Sequence, residues 1–171
     1  RTPHGDIQTP AFIVVGTKAD VKAMVPAMVR GVGAQAVLAN AYHLYLQPGH
    51  DLIEQAGYLS KFMNWDGPTF TDSGGFQVLS LGSGFKKVLA MSTDVKEEIA
   101  IAKKSSRHAW VDDDGVMFKS HLDGSMHKFT PELSMQIQAG IGADITFAFD
   151  ELTSLIDPYD YQVEALARTP A

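Results

Sequence analysis

Residues 68–77 read Pro68-Thr69-Phe70-Thr71-Asp72-Ser73-Gly74-Gly75-Phe76-Gln77, a short strand-like run that leads directly into a turn with paired glycines. Compact apolar runs also occupy residues 11–15, 36–39 and 145–149. Short apolar runs that are bounded by turn residues are typical of buried strands. We therefore predict a strand in each of these segments, followed by a polar or glycine-containing connection.

Helices are predicted between these strands from capping residues and prolines. Thr17 followed by Asp20 resembles a capping box, and proline suits the first turn of a helix. Residues 40–43 are interpreted as a polar and aromatic loop. The predicted helices are a short one after Thr17, a second from Pro26 to Gly31 or Gly33, a third from Pro48-Gly49 toward Gly57, and a fourth from Thr130-Pro131 to Gly140 or Gly142.

Strands and helices alternate along the chain with short connections. This order predicts a parallel sheet with right-handed crossovers, either an open doubly wound sheet or a (β/α)8 barrel. A complete barrel takes about 250 residues, whereas this chain has 171. We predict an α/β fold, a partial (β/α)8 TIM barrel whose strand edges must be paired elsewhere or covered.

Two segments depart from this alternation. Residues 116–119 and 127–129 bracket Leu122-Asp123-Gly124-Ser125 and predict a hairpin. Residues 82–114 are interpreted as a solvated excursion from a single domain that spans residues 1–171. The excursion carries a predicted amphipathic helix with Val95, Ile99 and Ala102 on one face, and a basic patch of Lys86, Lys87, Lys103 and Lys104.

The composition excludes several classes of protein. No segment approaches the roughly 20 apolar residues of a membrane helix, so no membrane role is expected. The chain has no cysteine, which rules out disulfides and thiolate metal sites within it and suits a reducing cytoplasm. A formal net charge of −6 argues against a surface that binds phosphates throughout, and it leaves room for a local basic patch.

Two carboxylates stand at the carboxyl ends of predicted strands, Asp72 after Thr71 and Asp150 after Phe149. Ligand sites form at that edge in barrels and in open α/β sheets alike. A carboxylate there can move protons, or it can accept two hydrogen bonds from a planar N–H edge. For either residue alone a helix cap or a surface ion pair is the commoner role, but two on one rim favour a functional site.

The glycine pair after Asp72 is the sharper signal. Gly74 and Gly75 let the backbone approach a flat ligand and leave N–H groups available to bind anions or carbonyls. Phe76 could then stack on a base. The alternative is an ordinary strand-to-helix turn with Phe76 in the core.

The histidines do not indicate a metal site. His121 and His127 are placed on opposite arms of the predicted hairpin, with no carboxylate or cysteine at ligand spacing. We therefore assign no metal ligand in this chain.

The chain also carries a series of short motifs in a fixed order. They are Gly16-Thr17-Lys18, Leu38-Ala39-Asn40-Ala41-Tyr42-His43-Leu44, Gln47-Pro48-Gly49, Phe62-Met63-Asn64-Trp65, Thr71-Asp72-Ser73-Gly74-Gly75-Phe76-Gln77, Phe118-Lys119-Ser120-His121-Leu122-Asp123-Gly124-Ser125 and Phe149-Asp150-Glu151. In this order they resemble the bacterial queuine tRNA-ribosyltransferases, also called tRNA-guanine transglycosylases. The resemblance covers nearly the whole chain except residues 82–114.

This resemblance implies a (β/α)8 barrel that exchanges a guanine in the anticodon loop of certain tRNAs for 7-aminomethyl-7-deazaguanine, usually as a homodimer. It implies that Asp72 is the general acid/base, that Asp150 holds the guanine edge and that Phe76 stacks on the base. The remaining expected substrate-binding residues belong to the same motif and are Ser73, Gly74, Gly75 and Gln77. N-glycosidic exchange passes through an oxocarbenium-like sugar, so one carboxylate must cover the sugar while another group moves protons on the bases.

The resemblance also implies groups that this chain does not carry. The family's covalent nucleophile, an Asp, and its zinc site of three Cys and one His belong to a later half. The chain is therefore expected to be an amino-terminal half that is inactive and zinc-free by itself. Leu152 stands where bacterial members usually have Cys beside the guanine pocket, and residues 82–114 exceed the family's usual connection.

Two other functions stay open on the sequence alone. A non-catalytic half-barrel could bind RNA or a second chain through its open edges. A barrel hydrolase could use Asp72 and Asp150 as an acid and nucleophile pair, although no other sugar-site signature accompanies them.

Overall fold

The computed structural model describes residues 1–78, 109–112, 114–153 and 157–169. The predicted helix with Val95, Ile99 and Ala102 lies outside these residues, and so does the basic patch of Lys86, Lys87, Lys103 and Lys104. None of the helices in the described ranges has the length and hydrophobicity needed to cross a bilayer.

Short strands and helices alternate along the described chain. In order they are β1 (Val14–Val15), α1 (Pro26–Gly31), β2 (Val37–Ala39), α2 (Ala41–Leu46), α3 (His50–Gln55), α4 (Tyr58–Phe62), β3 (Thr69–Thr71), β4 (Ala109–Asp112), β5 (Gly115–Lys119), β6 (Met126–Phe129), α5 (Pro131–Ile141), β7 (Ile145–Thr146) and α6 (Tyr159–Arg168). Residues 75–78 are also helical.

These elements form two compact units. The first comprises Arg1–Gly74 and Pro131–Phe149, and the second comprises Gly75–Thr130 and Asp150–Ala171. A parallel sheet in the order β1-β2-β3-β7 belongs to the first unit. An antiparallel sheet in the order β4-β5-β6 belongs to the second. The predicted parallel α/β organisation is therefore confirmed for the first unit.

The central strands of the parallel sheet are buried on a period of two. Val37 and Ala39 of β2 pair with Thr69 and Thr71 of β3, and all four side chains are almost fully buried. Burial of central strands is expected of parallel sheets, whose helices cover their faces. The covering layer includes α5, which contacts α2, α3 and α4 and buries Ile137 and Ile141 completely.

The short helix predicted after Thr17 is wrong. Residues 17–25 form turns, with Ala19 at φ 60° and Ala23 at φ 64°. A right-handed helix requires negative φ at each residue. The carbonyl of Thr17 accepts a hydrogen bond from the backbone N–H of Asn40 (3.2 Å), so it is engaged outside its own segment. The next predicted helix, from Pro26, is confirmed as α1.

The loop predicted at residues 40–43 is also wrong, because helix α2 begins at Ala41. Asn40 makes no side-chain capping bond to this helix. Instead, the backbone N–H of Ala41 donates to Asp72 Oδ1 at 2.8 Å. A helix start needs acceptors for its first N–H groups. Here the acceptor is Asp72, at the end of the neighbouring strand β3 and 31 residues further along the chain.

The fourth parallel strand is shorter than predicted. Residues 145–149 were expected to be extended and paired, but β7 ends at Thr146. The backbone N–H of Phe147 donates to Gln138 Oε1 (3.1 Å), and its carbonyl accepts from Gln138 Nε2 (2.9 Å). Because a side-chain amide occupies both backbone groups of Phe147, sheet pairing stops before that residue.

The predicted hairpin is confirmed as β5 and β6, which pair antiparallel from Val116↔Phe129 to Lys119↔Met126. Strand β4 adds a third, unpredicted strand at the end of the predicted excursion 82–114. His127 lies in β6 as expected, whereas His121 lies in the connecting turn rather than on a strand arm. The sharp reversal at residues 120–125 removes His121 from the ladder.

Gly142 ends helix α5, and we expect its replacement by alanine to destabilise the first unit strongly. Its φ is +68°, and an added Cβ would lie 2.6 Å from Tyr58 Cγ. Gly33 is the matched control because its φ is +88° with nothing within 4 Å of a Cβ. Gly33→Ala should lower the free energy of unfolding by about 1 kcal/mol, and Gly142→Ala by a further ~1–3 kcal/mol for the overlap. Urea titration measures both, and equal losses would contradict the packing described.

Candidate functional site

The Asp72 carboxylate lies just beyond the carboxyl end of β3 and is half-buried. One oxygen, Oδ2, accepts a short hydrogen bond from Asn40 Nδ2. The other, Oδ1, accepts from the backbone N–H of Ala41 at 2.8 Å. The carboxylate therefore bridges the end of β3 to the junction of β2 and α2, and its rotation is restrained by two donors.

The backbone around this carboxylate is tied to the neighbouring strands. The N–H of Asp72 donates to the carbonyl of Ala39 at 3.4 Å, and the N–H of Asn40 donates to the carbonyl of Thr17 at 3.2 Å. The carboxyl ends of adjacent parallel strands lie at one edge of a sheet, which is where α/β proteins form ligand sites. The ends of β2 and β3 and the turn after β1 thus form one hydrogen-bonded rim in the first unit.

Two buried polar side chains of α5 contact the residues on either side of Asp72. Thr71 Oγ1 donates to Gln138 Oε1 at 3.0 Å, and Ser134 Oγ donates to the carbonyl of Ser73 at 2.8 Å. Ser134 and Gln138 are completely buried. The strand end and the start of the turn are therefore both attached to α5.

The glycine motif continues from this rim. Ser73 is buried, and Gly74 has a φ of +84°, a conformation that favours glycine because a Cβ would be strained there. Gly75 is buried and begins the helical residues 75–78, and Gln77 is half-buried. Phe76 is 44% exposed, so it does not take the core position that was the alternative to a stacking role.

Asp150 is exposed, and the residue after it is firmly anchored in the second unit. The side chain of Glu151 is only 9% exposed and accepts from Arg168 Nη1 at 2.6 Å. The hydroxyl of Tyr161 also donates to Glu151 Oε1, at 2.5 Å. This hydrogen bond, together with burial, raises the pKa of Tyr161 to about 12. Helix α6 thus anchors the backbone next to Asp150 through a charge-assisted pair.

The predicted site residues are divided between the two units. Asp72, Ser73 and Gly74 belong to the first, whereas Gly75, Phe76, Gln77 and Asp150 belong to the second. Convergence of Asp72 and Asp150 on one ligand therefore stays a prediction.

The chemistry available to Asp72 follows from its hydrogen bonds. An ionised carboxylate has about four acceptor positions, and the two described donors use only part of this capacity. Among the described residues no cation lies within ion-pair distance of Asp72. The carboxylate is therefore oriented by its two described donors and has acceptor positions left for further hydrogen bonds.

The residues present do not supply a zinc site of the kind that the family resemblance implies. The chain has no cysteine. In the described ranges, no three His, Asp or Glu side chains come together in a way that could hold a metal ion. His127 Nε2 instead lies 2.7 Å from Ser125 Oγ, and its ring stacks on Phe118. We derive no chemistry from a metal in this chain.

The fold and the rim define an α/β protein with a restrained carboxylate at the carboxyl ends of parallel strands. The family model described as queuine tRNA-ribosyltransferase matches residues 1–171. The chain therefore belongs to the queuine tRNA-ribosyltransferase family.

Curated relatives agree with this membership. The chain is 51% identical to a queuine tRNA-ribosyltransferase of Roseiflexus sp. (strain RS-1) over 170 residues, which is 99% of this chain and 41% of the relative. It is 49% identical to one of Desulforamulus reducens over 168 residues, which is 98% of this chain and 39% of the relative. The chain thus spans about two fifths of the length of these relatives.

Four residues with a part in this geometry had no assigned role in the sequence analysis. Asn40 and Glu151 were quoted within motifs, but their contacts depend on partners far along the chain. Ser134 and Gln138 lie at helical spacing on a face with buried isoleucines. Polar residues at buried positions of an amphipathic helix are the signal that could have revealed them.

The bond between Asn40 and Asp72 should be measurable as a coupling energy. A double-mutant cycle with Asn40→Ala and Asp72→Ala is expected to give about 1.5–3 kcal/mol, because the acceptor is charged and half-buried. The exposed Arg1–Asp6 pair, 3.8 Å apart, is the control, and its cycle should give ~0–1 kcal/mol. A coupling at Asn40–Asp72 no larger than that of the control would refute the restraint described here.

The Tyr161–Glu151 bond predicts a late phenol titration. Because the folded-state pKa of about 12 lies above the ordinary tyrosine value of 10.0, the bond stabilises the fold below pH 10 and is lost as the pH rises toward 12. Ultraviolet difference titration should show a tyrosinate transition near pH 12 that disappears in Tyr161→Phe. Tyr159→Phe, at a 78% exposed position of the same helix, should leave that transition in place. Its persistence in Tyr161→Phe would show that another group titrates.

Proposed function

We propose that this chain provides the proton-transferring carboxylate and part of the base pocket of a tRNA-guanine base-exchange enzyme. The observation that carries the proposal is the Asp72 carboxylate, held by Asn40 and Ala41 at the carboxyl end of β3 in a chain of this family. The exchanged bases are guanine and 7-aminomethyl-7-deazaguanine, and the other substrate is tRNA.

Asp72 acts as the general acid/base in this proposal. A departing purine must gain a proton and an arriving one must lose it, so the group that serves both must stay within hydrogen-bond reach of the base. The two donors on Asp72 fix its direction while leaving acceptor capacity for a base nitrogen.

Asp150 reads the guanine edge, and Phe76 stacks on the base. Two parallel N–H groups on one edge of guanine match the two oxygens of a carboxylate. The exposed ring of Phe76 offers a face for stacking once the base has left its own stack in the anticodon loop. Ser73, Gly74, Gly75 and Gln77 are further substrate-binding residues in this proposal.

A longer protein would complete the site. The family resemblance assigns the covalent Asp nucleophile and a structural zinc site to a part that this chain does not include, and it implies a homodimer. Strand β1 is an outer strand in the sheet order β1-β2-β3-β7; its Val15 is 52% exposed, and Phe12, just before the strand, is 80% exposed. Apolar side chains at a sheet edge favour further strands, which supports a partial (β/α)8 barrel completed by additional sequence.

A hybrid enzyme tests the proposal. Residues 1–171 replace the aligned segment of the Roseiflexus relative, and incorporation of radiolabelled guanine into tRNA is measured. We expect exchange in the hybrid and a loss of about 10²–10⁴-fold in kcat for Asp72→Asn. Asp150→Ala should weaken guanine binding about 10-fold or more, since hydrogen bonds to a charged group are lost. The control is Asp51→Asn, at an exposed position of α3. Its kcat and guanine affinity should equal those of the unsubstituted hybrid.

Unchanged exchange in Asp72→Asn would remove Asp72 from the proton-transfer role, and unchanged guanine affinity in Asp150→Ala would remove the reading role. A hybrid that retains tRNA in a gel shift but exchanges no base would favour the non-catalytic half-barrel instead.

A further inference from the structure

A buried hydroxyl and a buried amide lie one helical turn apart on α5. Ser134 and Gln138 have no solvent exposure, and a spacing of four residues places them on the same helix face. Burying such groups costs free energy unless their donors and acceptors are satisfied. Their neighbours on this face include Ile137 and Ile141, so apolar residues would be the usual choice at these two buried positions.

The amide of Gln138 is fully used by the ends of two strands. Its Oε1 accepts from Thr71 Oγ1 (3.0 Å) and from the N–H of Phe147 (3.1 Å). Its Nε2 donates to the carbonyl of Phe147 (2.9 Å) and to Ser134 Oγ (3.3 Å). A glutamine amide has two donors and two acceptor positions, so this side chain is saturated. It links the end of β3 to the residue that follows β7.

Ser134 extends the link to the other side of Asp72. Its hydroxyl donates to the carbonyl of Ser73 at 2.8 Å and accepts from Gln138 Nε2. Together the two side chains hold the residue before Asp72 and the residue after it. Neither contacts the carboxylate, whose described donors are Asn40 and Ala41.

We propose that Ser134 and Gln138 are positioning residues for Asp72. They fix the backbone on both sides of Asp72 and link that backbone to Phe147, the residue that follows β7. The inference rests on the proposed function, in which Asp72 transfers protons. Replacing either side chain leaves the carboxylate and its two donors chemically unchanged but frees the backbone that carries Asp72. A displacement of about 1 Å in a catalytic group can lower a rate about 10²-fold, so the effect falls on turnover rather than on tRNA binding.

Three variants of α5 separate positioning from general stability. Gln138→Met keeps a similar side-chain volume and removes the hydrogen bonds to Thr71, Ser134 and Phe147, and Ser134→Ala removes only the hydroxyl. Gln136→Met is the matched control, because Gln136 is an exposed glutamine in the same helix. The 171-residue chain is used for amide hydrogen exchange, and the hybrid enzyme is used for kcat, KM for tRNA and the pH profile.

In Gln138→Met we expect the Phe147 amide to exchange about 10-fold faster or more, because it loses its acceptor. We expect kcat to fall about 10²-fold with KM for tRNA within about 3-fold, and the shape of the pH profile to persist because Asp72 itself is unchanged. Ser134→Ala should lower kcat about 10-fold. Gln136→Met should match the parent in each measurement.

The inference is overturned if Gln138→Met and Ser134→Ala both turn over like Gln136→Met while Asp72→Asn abolishes exchange. If Asp72→Asn itself retains activity, the proposed function fails first and the positioning role fails with it. Should Gln138→Met not fold, Ser134→Ala decides alone, since it deletes one oxygen and introduces no new atom. A rise in KM for tRNA with unchanged kcat would also overturn the inference, because it would show a binding role.

Discussion

The carboxylate of Asp72 is the point on which the candidate site depends. It accepts one hydrogen bond from the side chain of Asn40 and one from the backbone of Ala41, so it joins two neighbouring parallel strands where both end. Charge-assisted bonds of this kind are stronger and more directional than neutral ones. The hydrogen bond from Ala41 gives the first N–H of α2 its acceptor. The start of this helix therefore also fixes the direction of the Asp72 carboxylate.

The two candidate carboxylates are held in different ways. Asp72 is restrained by hydrogen bonds to its own carboxylate oxygens. Asp150 is exposed, and its neighbour in the chain, Glu151, is anchored by Arg168 and Tyr161. A group that must deliver a proton to one atom benefits from a fixed direction. A group that reads the edge of a planar base needs both oxygens available to the ligand. The contrast between these environments is consistent with the separate roles proposed for the two residues.

Elements that depend on local sequence were predictable, and those that depend on distant partners were not. Strands β2 and β3, the β5–β6 hairpin and the helices that begin at Pro26 and Pro131 follow from apolar runs and prolines. Helix α2 was missed because its first N–H is satisfied by Asp72, 31 residues away. The premature end of β7 was missed because Gln138 takes the backbone groups of Phe147.

The site shows the same division. Asp72 could be predicted as a site residue because a strand precedes it and paired glycines follow it. Both signals lie in the sequence next to Asp72. The restraint by Asn40 and the attachment to Ser134 and Gln138 arise only when the strands and α5 pack together. Family membership rests on the match over residues 1–171, while these contacts explain how the chain holds the Asp72 carboxylate where β2 and β3 end.

The most direct measurement is the carboxyl ¹³C resonance of Asp72 during titration of the labelled hybrid with 7-aminomethyl-7-deazaguanine. We expect a saturable shift of that resonance, accompanied by a shift of the Asn40 side-chain amide, because the base approaches the carboxylate that Asn40 holds. Saturable binding of the base with both resonances unmoved would contradict the proposed role of Asp72, since the ligand would then occupy a site that does not include this residue.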